Sequence, residues 1–536
     1  MTVTRTIVRN TTYNALGRAW EAACNIVLTA YVVPRIGVAS WGLWGLVSVF
    51  TGYMALFDMG MGSGFSKFIA ERAAKGDKQG LSRIVSTGLF FYLLFGVALV
   101  SVCWPCIDAL IPLFAKLGDV SSSDLTQTAL LGDVRFLLRW GIVLFVAANC
   151  VASFSAVQGG LQRMEISNAI SMVSSVLKLT ATVIFIERGC GVRGLMYSQA
   201  LVFVFFGAAS FIAARTLAPG LRVSPREIEW KTFNVLFQFG WRTQVSRFSN
   251  LLSFQTDRMI VGLVYRKLGL VGVYAIGEEL AGKMRQIPAL LVSALLPAAS
   301  DLDARGDKER LRRLYLVSSK YLAVATFPLV AFLVGGAGML LRTWMGPSVP
   351  NLDTAAWVAR ILAAGYLCNI LPGAGVSIAL GKGRPDVQMK AGILSMVSNV
   401  AITIALVFPL GLYGAALGTS LSMFVACAWF FAAMRPLVDV GVRDLLRTAA
   451  LWPAVASAPG FIACILGDVI SSGFVGRVPN GIALVSCAAI FAASYLGVIR
   501  AAPFLDEFDV EFLGRSLGLR RVPGFDALIR KGRPNA

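Results

Sequence analysis

No histidine occurs anywhere in the 536 residues. That absence excludes a Ser-His-Asp or Cys-His nucleophile system, and with it any zinc site that needs imidazole. Charge is scarce as well. Asp, Glu, Lys and Arg make up 15% of the chain, against about 25% in an ordinary soluble domain, which excludes a string of soluble domains. The nine cysteines are scattered through apolar stretches. Cys103 and Cys106 have C-x-x-C spacing, but Pro105 lies between them and no second pair completes a metal site. They read as thiols of an apolar core. Long loops are missing too: none exceeds about 20 residues, which leaves no room for a catalytic insertion.

What the chain has is apolar surface. Hydrophobic residues make up 57% of it, gathered into runs of about 20 residues, each able to cross ~30 Å of hydrocarbon. The pattern predicts an all-α polytopic membrane protein with about fourteen transmembrane helices. They are expected at 10–33, 41–64, 81–113, 130–157, 166–186, 192–217, 233–263, 270–299, 314–341, 355–380, 387–408, 414–434, 448–466 and 481–500. The first ten residues are polar and the first apolar run is too long for a signal-peptide core. Helix one is therefore expected to serve as its own insertion signal.

One stretch organises the rest. Ala70 to Arg83 reads A-E-R-A-A-K-G-D-K-Q-G-L-S-R, and Ser300 to Arg313 reads S-D-L-D-A-R-G-D-K-E-R-L-R-R. Gly76-Asp77-Lys78 falls on Gly306-Asp307-Lys308, Leu81 on Leu311 and Arg83 on Arg313. In the same order Gly37 matches Gly269, Trp44 matches Tyr274, S-M-V-S-S-V from Ser171 matches S-M-V-S-N-V from Ser395, and G-V-R-G from Gly191 matches G-L-Y-G from Gly411. Echoes kept in one order mark a duplication. The expected organisation is two pseudo-symmetric six-helix lobes, 1–217 and 233–447, joined by a cytoplasmic connector at 218–232. Two extra helices at 448–500 and a cytoplasmic tail at 501–536 follow. In that tail Phe504, Phe508, Phe512 and Leu513 stand among acidic residues, the pattern of an interfacial helix.

The net charge of +20 is dispersed through short loops, which fits the positive-inside rule better than nucleic-acid binding. With a cytoplasmic N-terminus, the inner loops collect roughly thirty basic residues against about eight outside. The chain is therefore expected as a multi-pass protein of the bacterial cytoplasmic (inner) membrane with both termini cytoplasmic.

Polar residues inside the spans are the candidate site. Asn14, Arg18, Glu21 and Asn25 recur every three or four residues on helix one, so they share a face about 16 Å long. Helix seven carries Gln238, Arg242, Ser246, Ser249, Ser253 and Asp257, broadened by Arg247 and Asn250. Helix five carries Ser171, Ser175, Lys178 and Thr182; helix eight carries Glu279, Lys283 and Gln286. Each charge facing lipid costs roughly 2.5–3.5 kcal/mol, so these groups must face a bundle interior. The candidate cavity set is Arg18, Glu21, Asn25, Lys178, Arg242, Arg247, Asp257, Glu279 and Lys283. The bland alternative is buried packing pairs such as Arg18 with Glu21 or Asp257 with Arg258. Arg135, Arg139 and Arg258 are expected to snorkel near helix ends. An excess of Arg and Lys suits an anionic group, since guanidinium forks match phosphate oxygens. Glu21, Glu279 and Asp257 then balance charge or take a coupling cation, and Trp20, Trp241 or Tyr13 offer rings to a sugar. Kinks are expected at the Asp58–Gly64 glycine run, at Pro288 and Pro297, and at Pro372-Gly373.

These residues resemble a family. N-T-T-Y-N-A-L-G-R at 10–18, L-F-D-M-G-M-G at 56–62, A-E-R-A-A-K-G-D at 70–77, T-D-R-M-I-V-G at 256–262 and L-G-L-V-G-V-Y at 268–274 are similar to polysaccharide flippases of the multidrug/oligosaccharidyl-lipid/polysaccharide (MOP) exporter superfamily. The resemblance runs to about Met434. It implies a MATE-like fold with a central cationic cavity that opens alternately to each side. It also implies an undecaprenyl-pyrophosphate-linked oligosaccharide as substrate, moved from the cytoplasmic to the periplasmic leaflet for O-antigen or exopolysaccharide. Arg18, Lys178, Arg242 and Arg247 would engage the pyrophosphate or acidic sugars. A proton or sodium gradient is the implied drive, with no cofactor; membrane lipids, a polysaccharide polymerase and a chain-length regulator are the implied partners. Other readings are a lipid II flippase of the same superfamily, a multidrug antiporter, against which the Arg/Lys excess counts, and a membrane-embedded polymerase or glycosyltransferase, which the short loops disfavour.

Overall fold

The computed structural model describes residues 3–54, 61–115, 124–285, 295–346 and 349–502, with 288, 292 and 504; within them, 3–12, 15, 61–63, 110, 113–115, 124–128, 239, 241–254 and 297 are described as backbone alone. The proposed tail helix, and residues 58–60 of the glycine run, lie outside the described residues. No strand occurs among the described residues.

The chain begins with α1 (Val3–Ile36), α2 (Val38–Met54), α3 (Met61–Ala74), α4 (Lys78–Ala115) and α5 (Asp124–Gly160). Next come α6 (Met164–Glu187), α7 (Gly191–Leu217), α8 (Trp230–Tyr265), α9 (Leu268–Lys283) and α10 (Leu295–Ala304). The remainder forms α11 (Lys308–Met345), α12 (Leu352–Ile370), α13 (Gly373–Gly381) and α14 (Pro385–Val438). One turn at Val442–Leu445 and a π-turn at Leu446–Ala450 lead into α15 (Leu451–Ser471), and α16 (Arg477–Ala501) follows. Where they are described, the expected spans fall on this helical framework; 55–60 of the second and most of 286–294 of the eighth lie outside the described residues. Among the described residues, nine helical stretches are long and apolar enough to cross a membrane, and the 54-residue α14 holds two of the expected spans. It bends at Gly411, whose φ of 64° and ψ of −141° no L side chain adopts at ease.

The duplicated stretch folds the same way twice. Gly76 and Gly306 take φ of +67° and +68°, the left-handed conformation that lets a helix end and the chain reverse. The Asp77 N–H donates to Arg72 O at 3.0 Å and the Asp307 N–H to Leu302 O at 3.1 Å. Each aspartate then caps the next helix: Asp77 Oδ1 accepts from the Gly80 N–H at 2.7 Å, and Asp307 Oδ1 from the Arg310 N–H at 3.0 Å. A further echo is too degenerate to read in the sequence. Gln162 and Gly383 have φ of 56° and 68°, Arg163 binds Glu165 at 2.5 Å and Arg384 binds Asp386 at 2.8 Å.

Packing divides the chain into two compact units. One is Met1–Ile276 with Ser348–Pro350 and Val407–Ala415; the other is Gly277–Pro347 with Asn351–Leu406 and Ala416–Ala536. The lobe limits 1–217 and 233–447 are limits of the repeat, whereas packing groups α8 with the first unit. Within that unit α8 lies on α2, α3 and α4, and its Leu236 joins a core of Phe65, Ile69, Leu81, Val85 and Tyr92. Within the second unit α15 lies on α11. In each unit, then, the helix after the sixth of a repeat lies on earlier helices of that repeat, α8 on α2, α3 and α4 and α15 on α11.

Candidate functional site

Helices α1 and α6 of the first unit pack side by side, and polar groups run along their seam. Asn168 donates through Nδ2 to Asn14 Oδ1 at 2.8 Å. One turn on, Gly17 passes so close to Asn168 that a side chain there has no room. Trp20 donates through Nε1 to Met172 O at 3.3 Å. At the far end Arg35 binds Glu187 at 3.1 Å and covers the Tyr31 ring at 3.6 Å, while the Tyr31 hydroxyl donates to the same carboxylate.

Between these fixed points the seam opens. Glu21, Cys24, Asn25 and Leu28 of α1 and Ser175 and Lys178 of α6 line a recess of about 240 Å³, counting the space at its mouth. Lys178 donates through Nζ to Asn25 Oδ1 at 3.4 Å. Glu21 and Arg18 are exposed on the same face of α1. An ammonium flanked by an amide, with a guanidinium nearby, presents donors to an anion, while the Ser175 hydroxyl donates to Ser171 O at 2.9 Å. Three predicted residues, Glu21, Asn25 and Lys178, thus meet in one recess, with Arg18 one turn away.

The other predicted residues are distributed differently. Asp257, at 3% exposure, accepts from the Tyr274 hydroxyl at 2.8 Å. Its neighbour Thr256 meets the Tyr53 hydroxyl at 2.9 Å. Glu279 and Lys283 form an ion pair at 3.4 Å within the second unit. Arg242 and Arg247 lie on α8, where their side chains are outside the described residues. Arg135 and Arg139, expected to snorkel, instead share Asp108 at 3.0 and 2.8 Å, with Arg139 over Trp104. A shared carboxylate lowers the cost of two guanidinium groups more than headgroup contact alone.

Sequence reasoning missed a buried charge cluster. In the second unit Asp468 of α15 receives Arg342 of α11 at 2.6 Å and also Arg360 of α12. Arg342 donates further to Asn480 at 3.3 Å and Ser471 at 3.2 Å. Arg360 donates through Nε to Val334 O at 3.1 Å, near Gly336, where α11 departs from helical geometry. The signal was present: lone charges in otherwise apolar spans, which demand partners. Also missed was Asn399, whose Nδ2 donates to Thr419 Oγ1 at 2.8 Å. By the S-M-V-S register Asn399 matches Ser175, and Ile402 stands where Lys178 does. The recess ammonium is not repeated.

A polytopic helical protein with charged groups gathered on facing helices has the arrangement of a transporter. The profile of the polysaccharide biosynthesis protein family matches residues 7–303, more than half of the chain. The chain belongs to that family. A second profile, lipid II flippase MurJ, matches residues 287–482. The chain is 22% identical over 437 residues to a Shigella flexneri protein named "Putative O-antigen transporter", covering 80% of this chain and 98% of that one. In fold it is similar to lipid II flippase MurJ in an inward closed conformation, with TM-score 0.64, 14% identity and coverage of 92% of this chain and 98% of that one. It is also similar to an inward-facing multidrug resistance MATE family transporter of the MOP superfamily, with TM-score 0.61, 20% identity and coverage of 80% and 96%. The MATE-like fold expected from the sequence is the fold found.

Proposed function

We propose that this chain is a flippase that carries undecaprenyl-pyrophosphate-linked oligosaccharide from the cytoplasmic to the periplasmic leaflet of the bacterial inner membrane. The observation that carries the reading is the recess at Glu21, Asn25 and Lys178, a donor-rich pocket inside a membrane-spanning unit of a polysaccharide biosynthesis family. Lys178 and Arg18 meet the pyrophosphate, with Arg242 and Arg247 of α8 adding charge to the same path. Glu21 restrains the site from holding its anion too tightly. Asp257 and the Glu279–Lys283 pair are assigned to charge balance or cation coupling along the path. Alternating access, both termini cytoplasmic, a proton or sodium gradient as drive, and downstream delivery to a polymerase and chain-length regulator belong to this proposal.

Leaflet translocation in proteoliposomes tests it. Labelled undecaprenyl-pyrophosphate oligosaccharide is expected to cross faster than in empty liposomes, with a gradient dependence that names the coupling ion. Lys178→Ala should lower the rate roughly 10-fold or more, the worth of one charge-assisted hydrogen bond. No movement of the oligosaccharide, with uptake of a cationic dye, would overturn the reading. A second reading, lipid II as cargo, is favoured by the MurJ profile over residues 287–482. Its pyrophosphate chemistry is shared, so competition between the two lipids in the same assay separates them.

A further inference from the structure

The connector between the repeats reads as a tether, yet it is stitched down. The Arg222 N–H donates to Ser82 Oγ at 3.0 Å, the Ser224 N–H to Ser86 Oγ at 3.3 Å, and the Glu229 N–H to Thr87 Oγ1 at 3.2 Å. Ser86 returns its own proton to Arg222 O at 3.2 Å. These hydroxyls stand on the first turns of α4, and all three are buried. Arg83 on the same turns reaches Glu229 at 3.5 Å and Glu227 at 3.9 Å. Leu221 is buried in the core below. Backbone donors of a loop are normally left to water; here they are taken by side chains of one helix.

The consequence falls on α8. Its start is held by Glu229, by Phe233 against Phe91 at 5.0 Å and by buried Leu236. Some 20 residues on, about 30 Å along the axis, Thr256 bonds Tyr53 of α2, and the Arg258 guanidinium lies against Gly45 of the same helix. A helix fastened at both ends to α2 and α4 has no freedom to leave them. We propose that α8, although it opens the second repeat, is a working part of the first unit and moves with it through the transport cycle, strapped by 218–229. The flexing of the chain then lies beyond α8, not at the repeat boundary. The cycle itself rests on the function proposed above.

Hydrogen exchange on the full chain in nanodiscs tests the strap without any transport assay. The amides of Arg222, Ser224 and Glu229 should exchange at least ~10-fold more slowly than an open chain, and the Ser82→Ala/Ser86→Ala/Thr87→Ala variant should lose that protection. Open-chain exchange in the unaltered protein would overturn the proposal. Cross-linking supplies the second arm and does not depend on the triple variant folding. Ser86→Cys with Ser224→Cys, oxidised to a disulfide, should translocate labelled undecaprenyl-pyrophosphate oligosaccharide at the rate of its reduced form. A block on oxidation that reduction relieves would show that the strap must open. If the reduced form itself moves nothing, the cargo assignment fails while the exchange result still decides the strap.

Discussion

At the scale of single residues, position within a helix decides what a charge does. Lys178 sits half-buried beside Asn25, and its ammonium donates to the Asn25 amide oxygen. Lys178→Arg should therefore keep more activity than Lys178→Ala in the leaflet assay, because charge and donors survive. Asp77 illustrates charge in water. The Gly80 N–H, and then Arg72 at 2.9 Å, hold its carboxyl below the usual carboxylate range. A lowered carboxyl pKa means the cap contributes fully above about pH 4, the ordinary value, and is lost as pH falls through the depressed one. Gly80 protection, taken relative to the intrinsic exchange rate at each pH, should thus fall in acid, and Asp77→Ala should show the lost protection at neutral pH; protection that does not change with pH would contradict the cap.

Elements were legible in the sequence to the extent that periodicity and composition define them. All the expected spans, and the twin Gly-Asp-Lys turns, could be placed because an apolar run or a left-handed glycine is a local property. Partners were not legible. Asn168 meets Asn14, and Asp468 meets Arg342 and Arg360, only because helices far apart in sequence pack together, and a lone charge in an apolar span does not name its partner. The α1 face was found because four polar residues repeat on it; the Asp468 cluster takes one charged residue from each of three helices and leaves no charge periodicity. Removing its centre takes the carboxylate from Arg360 and leaves Arg342 only the longer pair with Asp353 at 3.5 Å. Asp468→Asn should cost roughly 3–5 kcal/mol, read as a lower melting temperature in detergent, with Arg360→Met milder because one carboxylate pair remains. Gly411→Ala should cost roughly 1–3 kcal/mol through backbone strain, measured the same way; an unchanged melting temperature would mean the bend relaxes freely.

For the whole molecule, the repeat and the packing tell different parts of one history. Sequence register sets helices one and seven as equivalents, yet α8 packs into the first unit and α15 lies on α11 of the second. The pair that seemed appended after a six-plus-six plan thus begins with a helix that repeats the role of α8. Deleting residues 448–500 should unfold the second unit rather than trim it, and protease resistance of that unit in a truncated chain is the check. Orientation is testable separately: single cysteines placed beside Asp77 and Asp307 should be shielded from an impermeant thiol reagent in intact cells, and one beside Gly189 should react. The unshared ammonium has a kinetic meaning. With Lys178 in one repeat and Ile402 in the other, the proposed berth is not duplicated, and on that proposal headgroups pass one at a time. Initial rate against lipid-linked donor should then follow a simple hyperbola with a Hill slope of one, and a sigmoid curve would require a second berth that this chain's own divergence has erased.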